Sequence, residues 1–64
     1  MQFSENNIKL IFGLKLKQYR TAKKLSLTEL ADKAGLSVSY LNEIEKGKKF
    51  PKGEKIATLA KTLD

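Results

Sequence analysis

"SLTELADKAGLSVSYLNEIEK", residues 26–46, is the stretch on which the fold turns. It opens with the spacing of a capping box, in which the Ser26 hydroxyl accepts from the amide of Glu29 and the Glu29 carboxylate reaches back to the helix start. A helix is therefore predicted from Leu27. Leu30, Ala31 and Ala34 give it a narrow face of small and apolar side chains, and Gly35 supplies the left-handed conformation that ends it. After the turn residue Leu36, Ser37 is an N-cap for a further helix on which Leu41 and Ile44, three apart, face inward. Gly47 stops that helix. Counting from Leu27, Ala31 is fifth, Gly35 ninth, Leu36 tenth, and Leu41 and Ile44 fifteenth and eighteenth. Two short helices with small residues at their crossing, a glycine in the turn and branched apolar residues on the second describe a helix-turn-helix.

Outward from this core the pattern stays helical. Apolar residues recur at three and four, alternation is absent and valine occurs once, so the domain is predicted to be all-α. In a first helix announced by Ser4-Glu5-Asn6-Asn7, residues Ile8, Phe12 (or Ile11), Leu16 and Tyr19 share one face, with Lys15, Lys17 and Lys23 mostly elsewhere and Gly13 interrupting the pattern. Beyond the core, the loop "KGKKFPKGE" holds the only proline, Pro51. It leads into "EKIATLAKTL", a last helix with Ile56, Leu59, Ala60 and Leu63 inward.

Sixty-four residues make a single domain, with the helix-turn-helix core at about 27–46. A chain of this size buries only about 60% of its unfolded surface, and its net stability is on the order of 3–10 kcal/mol. The absence of cysteine and histidine removes disulfides, thiolate nucleophiles, imidazole bases and nearly every zinc site, and no cofactor is expected. Carboxylates stand at 29, 32, 43, 45 and 54, yet there is no glycine-rich phosphate loop, and the volume is too small for a pocket of ~300 Å³ beside a core. We therefore expect no enzyme. No apolar stretch approaches the ~18 residues of a membrane span and the N-terminus lacks a targeting pattern, which leads us to expect a cytoplasmic protein with no membrane partner. The net charge of +6 admits an acidic partner without proving one.

The stretch "LKQYRTAKKLSLTELADKAGLSVSYLNEIEKGKKFP" resembles the Cro/C1-type (XRE) helix-turn-helix DNA-binding domains. An arginine of helix one, the "LTELA" opening, the "GLS" turn, "YL..IE.G" and a following proline occur in the family's order, and the resemblance covers roughly residues 9 to 64. It implies a compact four-to-five-helix bundle of the lambda-repressor-like type, and a DNA-binding transcriptional regulator, a repressor foremost, of bacterial or phage type. Two departures stand out. Lys24 occupies a place where the family usually has glycine, so that turn is expected to be strained or differently shaped. Similar domains also commonly continue into a fifth helix where this chain stops, which suggests an N-terminal part of a longer protein.

A recognition helix places its N-terminal residues on base edges while flanking amides and lysines hold phosphates. The outward positions on the helix after Ser37 make Val38, Ser39, Asn42 and Glu43 the candidate base readers, each good contact being worth about 1–3 kcal/mol of discrimination. Val38 suits a thymine methyl, Asn42 adenine and Glu43 a cytosine amino group. The plainer alternative weighs equally: Ser39 and Asn42 contact only phosphate or water, and Val38 is an ordinary surface residue. Candidate phosphate contacts are Ser26, Thr28, Ser37, Tyr40, Lys46, Lys48, Lys49 and Lys52. Tyr40 either offers its hydroxyl to a phosphate or packs its ring on the last helix, and Ser26 is in any case a cap. The lysines could instead form a solvated face, the usual meaning of a charge run. The resemblance further implies a structural ion pair between Arg20 and Glu45. It also implies a homodimer on duplex DNA. The competing reading is a protein-interaction module or antitoxin-type regulator whose partner engages a missing C-terminal segment; a retained basic face with polar readers favours DNA.

Overall fold

The computed structural model describes residues 5–64, with side chains from Asn7 onward. Four helices follow in order: α1 (Glu5–Ala22), α2 (Leu27–Ala34), α3 (Val38–Glu45) and α4 (Gly53–Leu63). No strand occurs among the described residues. Ser4 of the predicted start signal lies outside them.

The starts and stops of the helices follow local chemistry. Ser26 forms the full capping box of α2: its hydroxyl oxygen accepts from the Glu29 amide at 3.0 Å, and its own amide donates to the Glu29 carboxylate at 2.8 Å. Ser37 caps α3 by accepting from the Tyr40 amide at 3.1 Å. Three of the four helices end in the same way. At α1, Leu25 N–H donates to Arg20 C=O and Lys24 N–H to Thr21 C=O; the pairs Leu36 to Ala31 with Gly35 to Asp32, and Lys48 to Glu43 with Gly47 to Ile44, repeat the pattern at α2 and α3. Each is a pair of bonds that closes a helix through one left-handed residue. Those residues are Lys24 (φ 59°), Gly35 (φ 68°) and Gly47 (φ 78°). Only the first carries a side chain, and a Cβ in this region is penalised.

The core consists of Leu16, Leu30, Ala31, Ala34, Leu41, Ile44 and Leu59, with Phe12, Leu25, Leu27, Leu36, Tyr40 and Leu63 packed partly buried around it. Leu30 and Ala31 do what the helix-turn-helix pattern asks: their small or branched side chains let α2 cross α3 over Leu41 and Ile44, all of them nearly inaccessible. Pro51, which the sequence offered only as a loop residue, is also fully buried.

The first helix corrects the hydropathy reading. Ile8, Ile11 and Tyr19 are exposed, by 46%, 44% and 63%, and of the apolar face only Leu16 is buried and Phe12 half-buried. The stripe turned to α3 instead runs through half-buried Lys9, buried Gly13, Leu16 and half-buried Arg20. Gly13 is the reason. A Cβ there would lie in hard contact with the Ile44 carbonyl oxygen and 2.7 Å from that of Glu45, so α1 and the end of α3 approach backbone to backbone. On α4, likewise, Leu59 is buried and Ile56 and Leu63 half-buried, whereas Ala60 is exposed.

Candidate nucleic-acid interface

At about 100° per residue, α3 sorts its side chains into two sets. Leu41, Ile44 and Glu45 face the body of the protein, while Ser39, Asn42 and Glu43 lie opposite with Val38 and Tyr40 on the flanks. Val38 and Ser39 are exposed; Asn42 and Glu43 are half-buried. The four candidate readers thus share one face. Val38 and Ser39 lie at the N-terminal end of α3, the end set by the Ser37 cap, and Asn42 and Glu43 lie one turn further on, in its C-terminal half.

Glu45 points inward to Arg20. The guanidinium Nε donates to Oε2 at 2.7 Å and Nη2 to Oε1 at 3.0 Å, a two-bond fork with both side chains about nine-tenths buried. Nη1 donates to the Leu25 carbonyl at 2.8 Å, while the Arg20 carbonyl accepts from the Leu25 amide at 3.1 Å. One arginine therefore ties together α1, the turn into α2 and the last residue of α3. Its pKa is raised above the ordinary arginine value, first by the hydrogen bonds to Glu45 and further by that residue's charge, against the opposing effect of burial.

Glu43, two residues earlier, points outward to Lys49. The ammonium lies 3.4 Å from Oε1, and both side chains remain substantially exposed, at 52% for Lys49 and 39% for Glu43. The same ammonium stands 5.8 Å from the centre of the Tyr40 ring, within cation–π range. Tyr40 thus supports a lysine and packs on the core rather than choosing simply between phosphate and α4.

Around this pair lies a broad open depression whose lysines are Lys9, Lys48, Lys49, Lys52 and Lys55, with Glu43 and Glu54 as its carboxylates and Ser37, Ser39 and Tyr40 along its α3 edge. Lys48, Lys49 and Lys52 are brought together here. Lys46 is exposed at the C-cap of α3 and lies apart from it. Lys9 and Lys55 join the group although they were not among the candidate contacts. Lys9 had a signal in the sequence: it falls four before Gly13 and seven before Leu16, on the stripe of α1 that meets α3. The loop carrying the lysines is anchored by Pro51 and by Phe50, whose ring meets that of Phe12 at 4.9 Å.

At the start of α2, Thr28 is exposed and Leu27 half-buried. The amide and the hydroxyl oxygen of Ser26 are both engaged by Glu29, which leaves the hydroxyl proton as its donor to an outside anion. These bonds hold the Glu29 carboxyl below its usual pKa, the backbone amide of Ser26 contributing most. Ser37 has its oxygen engaged in the same way by Tyr40.

A helix-turn-helix with Val38, Ser39, Asn42 and Glu43 outward on its second helix and lysines gathered beside it is the arrangement of a particular class. The chain belongs to the helix-turn-helix family, of the Cro/C1 (XRE) type: the family profile matches residues 16–64. Among individual proteins, it is similar to the HTH-type transcriptional regulator SinR of Bacillus subtilis (strain 168), at 53% identity over 36 residues covering 56% of this chain and 32% of SinR. It is also similar to the control protein C.BamHI of Bacillus amyloliquefaciens, at 36% identity over 59 residues, 91% of this chain and 73% of that protein. The crystal structure of the restriction-modification controller protein C.AhdI from Aeromonas hydrophila superimposes with a TM-score of 0.83 at 38% identity, covering 86% of this chain and 83% of that one. The match to SinR thus spans about a third of that protein's length. No helix among the described residues is long and apolar enough to cross a membrane.

Proposed function

We propose that this protein is a sequence-specific DNA-binding transcriptional regulator, a repressor, that reads the major groove with α3. The observation that carries the reading is the continuity between the outward face of α3 and the lysine depression, which puts readers and cations on one side of the molecule. The relatives named as a transcriptional regulator and as control proteins support it. Val38, Ser39, Asn42 and Glu43 face base edges. Ser26, Thr28, Ser37, Tyr40, Lys46, Lys48, Lys49 and Lys52 hold phosphates, and Lys9 and Lys55 join them in the local positive field. Arg20 and Glu45 have a structural role, fixing the angle of α3 on α1. Residues 1–64 act as one domain.

A homodimer on DNA completes the reading, with two recognition helices on half-sites about one turn, ~34 Å, apart. Exposed Ile11 and Tyr19 of α1, next to a groove that α4 lines with Ile56 and Leu63 and that holds both Lys15 and Asp64, supply apolar surface with charges of both signs, as self-association requires. A single copy is expected to bind weakly, in the ~10⁻⁴ to 10⁻⁶ M range.

Titration into random-sequence duplex at two salt concentrations tests the function. The log of affinity should fall with the log of salt at a slope of up to about −3.6 when four phosphates are neutralised, and less steeply for a Lys48, Lys49 and Lys52 triple alanine variant. A folded protein that ignores DNA at low salt would move the search to a protein partner.

A further inference from the structure

Glu43 is an awkward residue to aim at DNA. A carboxylate brought against a phosphate-lined groove is repelled, and like-charge juxtaposition at an interface is costly unless something compensates. In the free protein the compensation is Lys49, 3.4 Å away and seated beside the Tyr40 ring. The amides of Lys48 and Lys49 both donate to the Glu43 carbonyl, at 2.9 and 3.4 Å, so the loop that carries the lysine is itself tied to the residue that holds it.

We propose, building on the DNA-binding reading above, that Glu43 determines specificity by withholding Lys49 from phosphate until the correct base is present. A cytosine in the groove presents its N4 amino group as a hydrogen-bond donor. The Glu43 carboxylate then exchanges its lysine for that donor, and the released ammonium of Lys49 takes a phosphate. On a sequence without a donor at that position, the pair stays closed. Lys49 then adds nothing to backbone binding, and non-specific affinity is held down. The exchange is feasible because the pair is partly exposed and rests on one ion-pair contact of 3.4 Å, and because Tyr40 keeps the lysine beside the groove.

This behaviour separates from that of an ordinary base reader and from simple charge addition. On random-sequence duplex, Lys49→Met should leave the salt slope of the parent unchanged, and should make it shallower by about 0.9 in a Glu43→Gln background, where the lysine is free to meet a phosphate. Glu43→Gln alone should steepen the slope by about 0.9 and tighten random-duplex binding severalfold. It should also lose the preference for cytosine at one operator position, worth about tenfold or more. On a duplex selected for tight binding to the parent, Lys49→Met should cost a full phosphate contact with Glu43 in place. The random-duplex slope of the parent is then nearer −2.7 than −3.6, for three available phosphate contacts of the four.

Lys49→Met changing the slope equally in both backgrounds would mean the charges merely add, and would overturn the proposal while leaving DNA binding intact. Glu43→Gln weakening the selected duplex with no effect on random duplex would overturn it too, in favour of a plain reader. A parent protein that is folded by circular dichroism and shows no salt-sensitive DNA binding would overturn the DNA-binding reading, and this proposal with it.

Discussion

Two glutamates stand two residues apart on α3, and each meets a cation, yet the two pairs belong to different parts of the molecule. Glu45 meets Arg20 through two bonds, the shorter 2.7 Å, with both side chains about nine-tenths buried. Glu43 meets Lys49 through one contact of 3.4 Å with both side chains partly in solvent. Arginine's planar fork suits a fixed, two-point grip, and lysine's flexible point charge suits a contact that is made and released. One pair holds α3 to α1, and the other lies on the outward face of α3. The same short sequence "NEIEK" thus places one glutamate in a buried fork and the other in a looser, more exposed pair, separated only by the turn of the helix between positions 43 and 45.

The largest break in this comparison comes from the buried pair. Arg20→Met leaves Glu45 buried without its cation and frees the Leu25 carbonyl, and removing one partner of a buried pair typically costs about 3–5 kcal/mol. For a domain of this size that corresponds to a fall in melting temperature of more than about 12 °C. Thermal denaturation followed by circular dichroism measures it, and a variant melting with the parent would show the pair to be an ordinary surface contact.

The same junction can be attacked without touching charge. A helix-interior glycine changed to alanine normally gains about 0.5–1 kcal/mol. Gly13→Ala should instead lose about 1–3 kcal/mol, because the new methyl meets the Ile44 and Glu45 carbonyls of another helix rather than a side chain that could move aside. The sign alone decides: a rise in stability would mean that α1 and α3 stand further apart than the geometry requires.

The turn between α1 and α2, held by Arg20, offers an opposite change. Lys24 adopts the left-handed conformation that Gly35 and Gly47 fill at the equivalent ends of α2 and α3. Lys24→Gly is expected to stabilise by about 0.5–1 kcal/mol by removing the Cβ penalty, seen as a melting temperature higher by several degrees. Lys24→Ala keeps the Cβ and should give no such gain. Equal behaviour of the two variants would place the effect in the lysine charge rather than the backbone.

These cases also show where the sequence was legible. The capping box at Ser26, the turn at Gly35 and the cap at Ser37 rest on bonds spanning three to five residues, so their partners lie within one short window of text. The inward face of α1 is different. Its stripe of Lys9, Gly13, Leu16 and Arg20 holds two cations and a glycine, so hydrophobicity drew the eye to Ile8 and Tyr19, which are exposed. A close backbone approach is marked by the absence of a side chain, which hydropathy registers only as an interruption. Pro51 was hidden for a related reason, since its burial depends on how the loop between α3 and α4 folds back onto the body of the protein. The outward face of α3 was visible in the sequence, but the pairing of Glu43 with Lys49 depends on how the loop folds back, which no periodicity encodes.

The smallest expected effect is the sharpest test of the contrast. A double-mutant cycle over Glu43→Gln and Lys49→Met should return a coupling to folding stability of under about 0.5 kcal/mol at low salt, fading as salt is added, because an exposed pair gains little Coulomb energy and immobilises a flexible side chain. The cycle over Arg20→Met and Glu45→Gln should return several times more and change little with salt, since its charges lie out of the solvent. That weakness is what the outer pair needs. A coupling above about 1 kcal/mol would make the Glu43–Lys49 pair a second fixed grip, too firmly closed to trade its partners for a base and a phosphate, and the difference between the two glutamates would then be one of position alone.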